Sequence, residues 1–191
     1  MIILLLILIY LFILYNNNWK YYLIKNYKII KKEAKNIMNN IKQDKIKRNK
    51  LWKDINNVSS NWSIGPESKN DTWLNYGLIL NKKPIIKNLK KCPHTYKILK
   101  KIISNGVKIH VAGFSWLKPN SYIPEHIDNN IYKVYHLGLI VPNKKCYIKS
   151  NNKKIFHKEG SIITFNDNIL HSAINKSNKN RIILYLLIEL S

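Results

Sequence analysis

The sequence predicts a mainly β chain, a sandwich or barrel with flanking helices and an apolar segment at the N-terminus. Three observations predict it. From residue 73 onward, short runs rich in Ile, Val, Tyr and Phe alternate with Asn, Pro, Gly and Lys turns. Helical periodicity is confined to two stretches, 20–56 and 93–104. The first fifteen residues carry no charge. A chain of 191 residues with 46% apolar content suits one domain plus a small extra. Only 6 Gly, 6 Pro and 2 Cys exclude a collagen-like chain and a disulfide scaffold. The 33 Ile argue against wholesale disorder.

The apolar run 1–15 would reach roughly 22 Å as a helix, short of a ~30 Å hydrocarbon core. Trp19, Tyr21 and Tyr22 then read as an interfacial belt, and Leu23 and Ile24 prolong the span. No charged region precedes the run and no small-residue cleavage site follows it, so residues 1–24 are expected to be a membrane anchor rather than a cleaved signal. The lysines that follow place the bulk of the chain in the cytoplasm by the positive-inside rule. Lysine is abundant everywhere here, so that asymmetry weighs little.

Residues 25–60 read as a basic amphipathic helix or stalk. Leu23, Tyr27, Ile30, Ala34, Ile37 and Ile41 follow one another in steps of four and three, a helical stripe. Packing on the domain is its default use; lying on an anionic membrane or pairing as a coiled coil are the alternatives. Residues 57–72 are polar and turn-rich, a linker or boundary at the start of a domain spanning 61–191. Strands are expected at 73–80, 107–117, 134–141, 146–149, 155–157, 161–165, 169–173 and 181–190. Between the first two, a helix begins at Pro93 with Tyr96, Leu99, Ile102 and Ile103 on one face.

The formal charge is +23. Lysine supplies 31 of the 33 cations, and Lys, Ile and Asn, which share A/T-rich codons, make nearly half the chain. A specific nucleic-acid binder favours Arg for bidentate contacts. The charge is also spread along the chain rather than gathered in one tract, so no specific nucleic acid is expected. Cys92 and Cys146 do not fix a redox compartment.

Chemistry concentrates in 107–190. His126 and Asp128 are two apart on an extended segment and point the same way. An imidazole and a carboxylate so placed can hold adjacent positions of one metal, and His171 on another strand can take a third. Two His and one carboxylate suit a non-haem Fe(II) site with open positions. Arg181 lies ten residues after His171, at the start of the last apolar strand, where a hairpin return would set it beside the His171 strand. A guanidinium there grips a carboxylate with two parallel hydrogen bonds, which Lys cannot copy. Zn²⁺ at the same three residues, driving hydrolysis, would leave Arg181 without a purpose.

Three stretches carry a resemblance: Ser115-Trp116-Leu117-Lys118-Pro119-Asn120 with Pro124-Glu125-His126; His136-Leu137-Gly138-Leu139-Ile140-Val141-Pro142; and Glu159-Gly160 with Phe165-Asn166-Asp167, His171, Asn175 and Arg181. Over roughly 73–190 the chain resembles the aspartyl/asparaginyl beta-hydroxylases, which are Fe(II)- and 2-oxoglutarate-dependent dioxygenases using O2. The resemblance implies a double-stranded beta-helix, a cupin-like jelly roll with a ligand cavity between two sheets. It implies His126 and His171 as iron ligands, Arg181 on an oxoglutarate carboxylate, Ser115 and His136 as further oxoglutarate contacts, and Trp73 near the cosubstrate. It implies hydroxylation of a C–H bond, first the β-carbon of Asp or Asn in a protein substrate. Two departures bear on substrate. Asp128 stands where the vertebrate protein-modifying members have Gly, whereas bacterial lipid hydroxylases keep the carboxylate. Lys133 or Val134 stands where the vertebrate members place a substrate-contacting arginine. A lipid acyl chain is therefore the alternative substrate, and a non-catalytic binding module the other rival.

The other candidates read blandly. His94 starts a helix, His110 is structural or exposed in a strand, and His157 lies in a turn. Asp167 supports a ligand or closes a turn. Trp116 and Phe165 are core.

Overall fold

The computed structural model describes residues 18–41, 47–48, 61–68, 70–128, 131–142 and 144–189. Helices α1 (Trp19–Lys25) and α2 (Tyr27–Asn39) come first. They are followed by short strands β1 (Lys47–Arg48) and β2 (Ser63–Ile64), then the long β3 (Trp73–Leu80) and short β4 (Lys83–Pro84). Helices α3 (Ile86–Leu89) and α4 (Pro93–Ser104) lead into eight strands. These are β5 (Ile109–Leu117), β6 (Ser121–His126), β7 (Lys133–Ile140), β8 (Cys146–Ser150), β9 (Lys153–Phe156), β10 (Ile162–Asn166), β11 (His171–Asn175) and β12 (Arg181–Ile188).

One sheet runs β5-β12-β7-β10, the other β6-β11-β8-β9, and β3, β2 and β1 extend the first beyond β5. Eight strands shared between two antiparallel sheets in this order form a jelly roll. The chain is mainly β, as its turn punctuation predicts.

The main core is not between the sheets. Leu23, Ile30, Ala34, Trp62, Leu99, Phe114 and Leu184 belong to one buried cluster that joins the helices to the larger sheet. A smaller cluster, Leu117, Ile123, Val134, Ile148, Phe165 and Ala173, draws on both sheets. This division explains the near-continuous apolar reading of β12, which is buried along most of its length. The fold's hydrophobic stabilisation comes chiefly from one face, so the space between the sheets can remain a cavity.

The stripe of α1 and α2 packs on the domain, the first of its three expected uses. Leu23, Ile30, Ala34 and Ile37 are buried. The helix is interrupted at Asn26, whose side chain donates to Tyr22 O, and it ends at Asn39 rather than continuing to 56. Lys47–Arg48 instead pairs parallel with β2. Among the described residues no helix is long and apolar enough to cross a membrane. Residues 1–17 of the expected anchor lie outside them. Residues 18–24 fold onto the jelly roll: Leu23 is wholly buried and Trp19 meets Tyr135 edge-on at 4.9 Å.

The expected linker 57–72 is part of the fold where it is described. Trp62 is fully buried, its indole N–H donates to Ile37 O, and β2 pairs with β3. A polar composition hid one large apolar side chain that fills the joint between α2 and the sheet. Helix α4 has the predicted bounds, but its buried face is Thr95, Ile98, Leu99 and Ile102, while Ile103 is 41% exposed. Glu33 meets the start of that buried face. Its carboxylate accepts from the N–H of His94 at 2.9 Å and from the N–H and hydroxyl of Thr95 at 2.8 and 2.6 Å. This is an N-terminal cap supplied by another helix, and it draws Thr95 inward. Strand β6 is not among the expected strand runs, although His126 is expected on an extended segment, and it contains Pro124. It lies at a sheet edge, where a missing N–H is tolerated.

Candidate functional site

Edge strand β6 pairs with β11 so that His126 stands opposite His171. A register shift between His171 and Ala173 marks a bulge at that point, a device that re-aims a side chain. Both imidazoles are held in the same way. His126 Nδ1 lies 2.7 Å from Pro124 O, and His171 Nδ1 lies 2.9 Å from Ile169 O. A carbonyl can only accept, so each Nδ1 carries the proton and each Nε2 keeps its lone pair. Burial lowers the His171 pKa, which favours that neutral, ligating form. Asp128 follows β6, and its N–H donates to Asp167 O at 2.9 Å. Potential ligand atoms of His126, Asp128 and His171 all lie within 4.8 Å of one another. Two imidazoles and a carboxylate at that spacing suit a divalent transition metal.

Arg181 reaches the same space from the other sheet. The expected hairpin return beside His171 does not occur: β12 pairs with β5 and β7, and β11 with β6 and β8. The connection 176–180 crosses between sheets, so Arg181 faces the histidines across the cavity. Asn175 holds that crossing. Its amide donates to Leu117 O at 3.1 Å and to Lys118 O and Lys179 O at 2.9 Å, and its carbonyl accepts from the Ser177 hydroxyl at 2.7 Å. Arg181 is 1% exposed, and its Nε and Nη1 have no hydrogen-bond partner among the described residues. Burial lowers its pKa, yet the guanidinium stays charged near neutral pH. A buried cation with orphaned donors fits the carboxylate of a small ligand.

A cavity of about 390 Å³ joins these groups. Trp73, Ser115, His126, Asp128, His136, His171 and Arg181, all singled out in the sequence, line it together. The Trp73 indole donates to Ser115 Oγ at 2.9 Å, which leaves the serine O–H for another acceptor. The other readings fare unevenly. Trp116 is core. Phe165 is core and also lines the cavity, meeting the His171 ring at 5.4 Å. His110 lines the cavity too and stacks on Tyr132 at 4.1 Å.

His157 is the residue that sequence reasoning missed. Expected in a turn, it is 3% exposed, and its Nε2 lies 3.2 Å from His136 Nδ1 with the rings nearly parallel. Burial, then Arg181, hold both imidazoles well below the ordinary histidine range, so both are neutral. The Nδ1 of His157 is buried without a partner. A buried orphan N–H costs more than an orphan lone pair, so the His157 proton belongs on Nε2, donating to His136. His136 then carries its own proton on Nε2 and is a donor. No spacing signal marks His157, because the contact arises only when the end of β9 meets β7.

The sequence matches the Aspartyl/Asparaginyl beta-hydroxylase family over residues 24–189. The chain belongs to that family. Among relatives of this beta-hydroxylase domain, an ornithine lipid ester-linked acyl 2-hydroxylase of Rhizobium tropici is 34% identical over 103 residues, covering 52% of this chain and 35% of that protein. Aspartate beta-hydroxylase domain-containing protein 2 of Homo sapiens is 30% identical over 132 residues, 66% of this chain and 35% of that protein. The chain thus spans about a third of the length of these two relatives. A viral collagen prolyl hydroxylase from Paramecium Bursaria Chlorella virus-1, solved as a 2OG complex, aligns over 65% of this chain and 81% of its own at 16% identity and a TM-score of 0.42. That likeness is too distant to bear on activity.

Proposed function

We propose that this beta-hydroxylase family member is an Fe(II)- and 2-oxoglutarate-dependent dioxygenase that hydroxylates a C–H bond. The observation that carries the reading is the pairing, in one cavity, of a His-Asp-His cluster with a buried guanidinium that has two unpartnered donors. Either feature alone is common; a metal cluster facing an unsatisfied Arg fits a cosubstrate with a metal-binding end and a carboxylate end.

His126, Asp128 and His171 would hold the iron, with both imidazoles presenting Nε2. Arg181 would bind the distal carboxylate of oxoglutarate through a two-bond fork, with the Ser115 hydroxyl and the His136 N–H as further donors. When bound, the iron and oxoglutarate supply the oxidation, using O2 and releasing succinate and CO2. The protein orients the cosubstrate, places the C–H bond, and keeps water from the centre with the apolar walls Ile123, Val134, Ile148 and Phe165.

The family reading puts the β-carbon of an Asp or Asn residue in a protein first as substrate. A lipid acyl chain is the second reading, favoured by Asp128 and by the kinship with an acyl 2-hydroxylase. Residues 1–17 would tether the domain to a membrane.

Purified protein should release succinate from oxoglutarate only with Fe(II), and His171→Ala should abolish it. Oxoglutarate binding unchanged by both His171→Ala and Arg181→Ala would overturn the assignment. Mass spectrometry for the gain of one oxygen, on peptides and on lipids, separates the substrates.

A further inference from the structure

Exposed aliphatic side chains collect at the metal end of the cavity. Ile127 is 54% exposed, Ile131 82%, Ile169 40% and Leu170 49%. These are four of the nine large hydrophobic side chains exposed among the described residues, and all four stand in segments that supply the cavity lining. Each adjoins the cavity in sequence. Ile127 lies between His126 and Asp128, Ile131 precedes Tyr132, and Ile169 and Leu170 run into His171. Backbone pairing draws the segments together, with His126 opposite His171 and the Asp128 N–H on Asp167 O. The result is an apolar rim beside the proposed iron site.

Lysines collar the same end. Strand β7 starts there at Lys133, which is paired with Asn166 at the end of β10. Lys108 precedes β5, its carbonyl accepts from the Glu189 N–H, and its side chain is exposed. Lys82, which is ion-paired with Glu189 at 2.6 Å, and the exposed Lys83 follow the end of β3, and Lys153 starts β9 opposite Ser150, which pairs with His171. An apolar rim inside a basic collar matches the acyl and headgroup layers of an anionic membrane surface.

The path of the chain gives a second, independent pointer. Trp19 packs on Tyr135, near the rim end of β7. Tyr27 lies against Gly160, whose N–H bonds Gly138 farther along the same strand. Helix α1 therefore runs away from the rim, and its N-terminus, where the described residues begin at 18, lies on the rim side.

We propose that this rim docks on an anionic lipid bilayer, so that the cavity opens onto the membrane and, of the two substrate readings, the second, a bilayer lipid, is the one presented to the site. The substrate part rests on the dioxygenase reading of the site. The full chain, reconstituted in vesicles of three parts phosphatidylcholine to one part phosphatidylglycerol, provides the test. Cys92 and Cys146 are buried, so an environment-sensitive fluorophore can be placed selectively on Ile131→Cys or Leu170→Cys, with Asn178→Cys in the crossover loop as the control. The label at 131 or 170 should shift to the blue and be quenched by spin-labelled lipid, and the label at 178 should do neither. A label at both rim positions as wet as that at 178 would overturn the docking. So would a rim label that stays wet on vesicles and shifts only when an acidic peptide is added. Fe(II)-dependent succinate release from the same vesicles reports the site separately. Turnover with a wet rim removes the docking and keeps the dioxygenase; a buried rim without turnover keeps the docking and removes the dioxygenase.

Discussion

Replacing Arg181 should do opposite things to stability and to ligand binding. The guanidinium is 1% exposed and two of its nitrogens lack partners, so without a carboxylate its desolvation is poorly compensated. Arg181→Met keeps most of the apolar stem and removes that cost, so the ligand-free protein should lose no stability and can gain about 1 kcal/mol. Arg181→Lys keeps the charge but halves the fork. One hydrogen bond to a charged group contributes about 1.5–3 kcal/mol, so oxoglutarate should bind Arg181→Lys roughly ten- to a hundredfold more weakly. Calorimetric titration of oxoglutarate with Mn²⁺ in place of Fe(II) measures the second effect without turnover, and thermal denaturation measures the first. A large loss of stability in Arg181→Met would make Arg181 a structural residue. Unchanged oxoglutarate affinity in Arg181→Lys would remove the fork from the argument.

Three further outcomes follow from the geometry. Asp128→Ala should weaken divalent-metal binding by roughly tenfold or more while leaving the fold intact, since the side chain is exposed and only its backbone N–H ties the loop; metal titration by intrinsic fluorescence checks it. Glu33→Ala should cost about 2 kcal/mol in chemical denaturation, because it strips the cap from α4 and leaves the buried N–H of Thr95 and the part-buried N–H of His94 unpaired. Acid should weaken the metal-free fold through His136 and His157. Both titrate below the ordinary histidine value when folded, so the unfolded chain takes up protons first; stability is level above about pH 6.5 and falls as the pH drops below it, by up to about 1.4 kcal/mol per group per unit. His157→Gln keeps a donor to His136 and removes one titration, so its melting temperature should fall less steeply over that range; an unaltered slope would show that His157 is protonated in the fold.

The strands were legible because each carries its own evidence. β3, β5, β7 and β12 are long apolar runs between turn residues, and their observed bounds differ from expectation by two residues or fewer. What failed to show was what depends on partners. β6 carries Pro124 and little apolar content, and it is a strand because β11 supplies its ladder on one side only. Trp62 sits in a polar stretch, and nothing around it announces that Ile37 and the sheet will close over it. Glu33 looks like any acid on a basic helix; its role exists only where α4 begins, sixty-one residues later.

The site divides along the same line. Resemblance and residue chemistry supplied seven positions, and the fold brings all seven to one cavity, but it does so by a route that spacing alone misjudged. The nine residues between His171 and Arg181 suggested neighbours in a hairpin. The chain instead uses five of those residues to cross from one sheet to the other, with Asn175 holding the crossing from beneath. That difference has a chemical consequence. A hairpin partner would lie in the same sheet as the metal ligands, within reach of Asp128, and the guanidinium would be neutralised by an ion pair. Across the cavity it keeps its charge and its free donors. His136 and His157 complete the point: burial keeps both imidazoles neutral and the unpaired cation reinforces it, so the same closed space that orphans the arginine also sets the form in which its neighbours meet an anion.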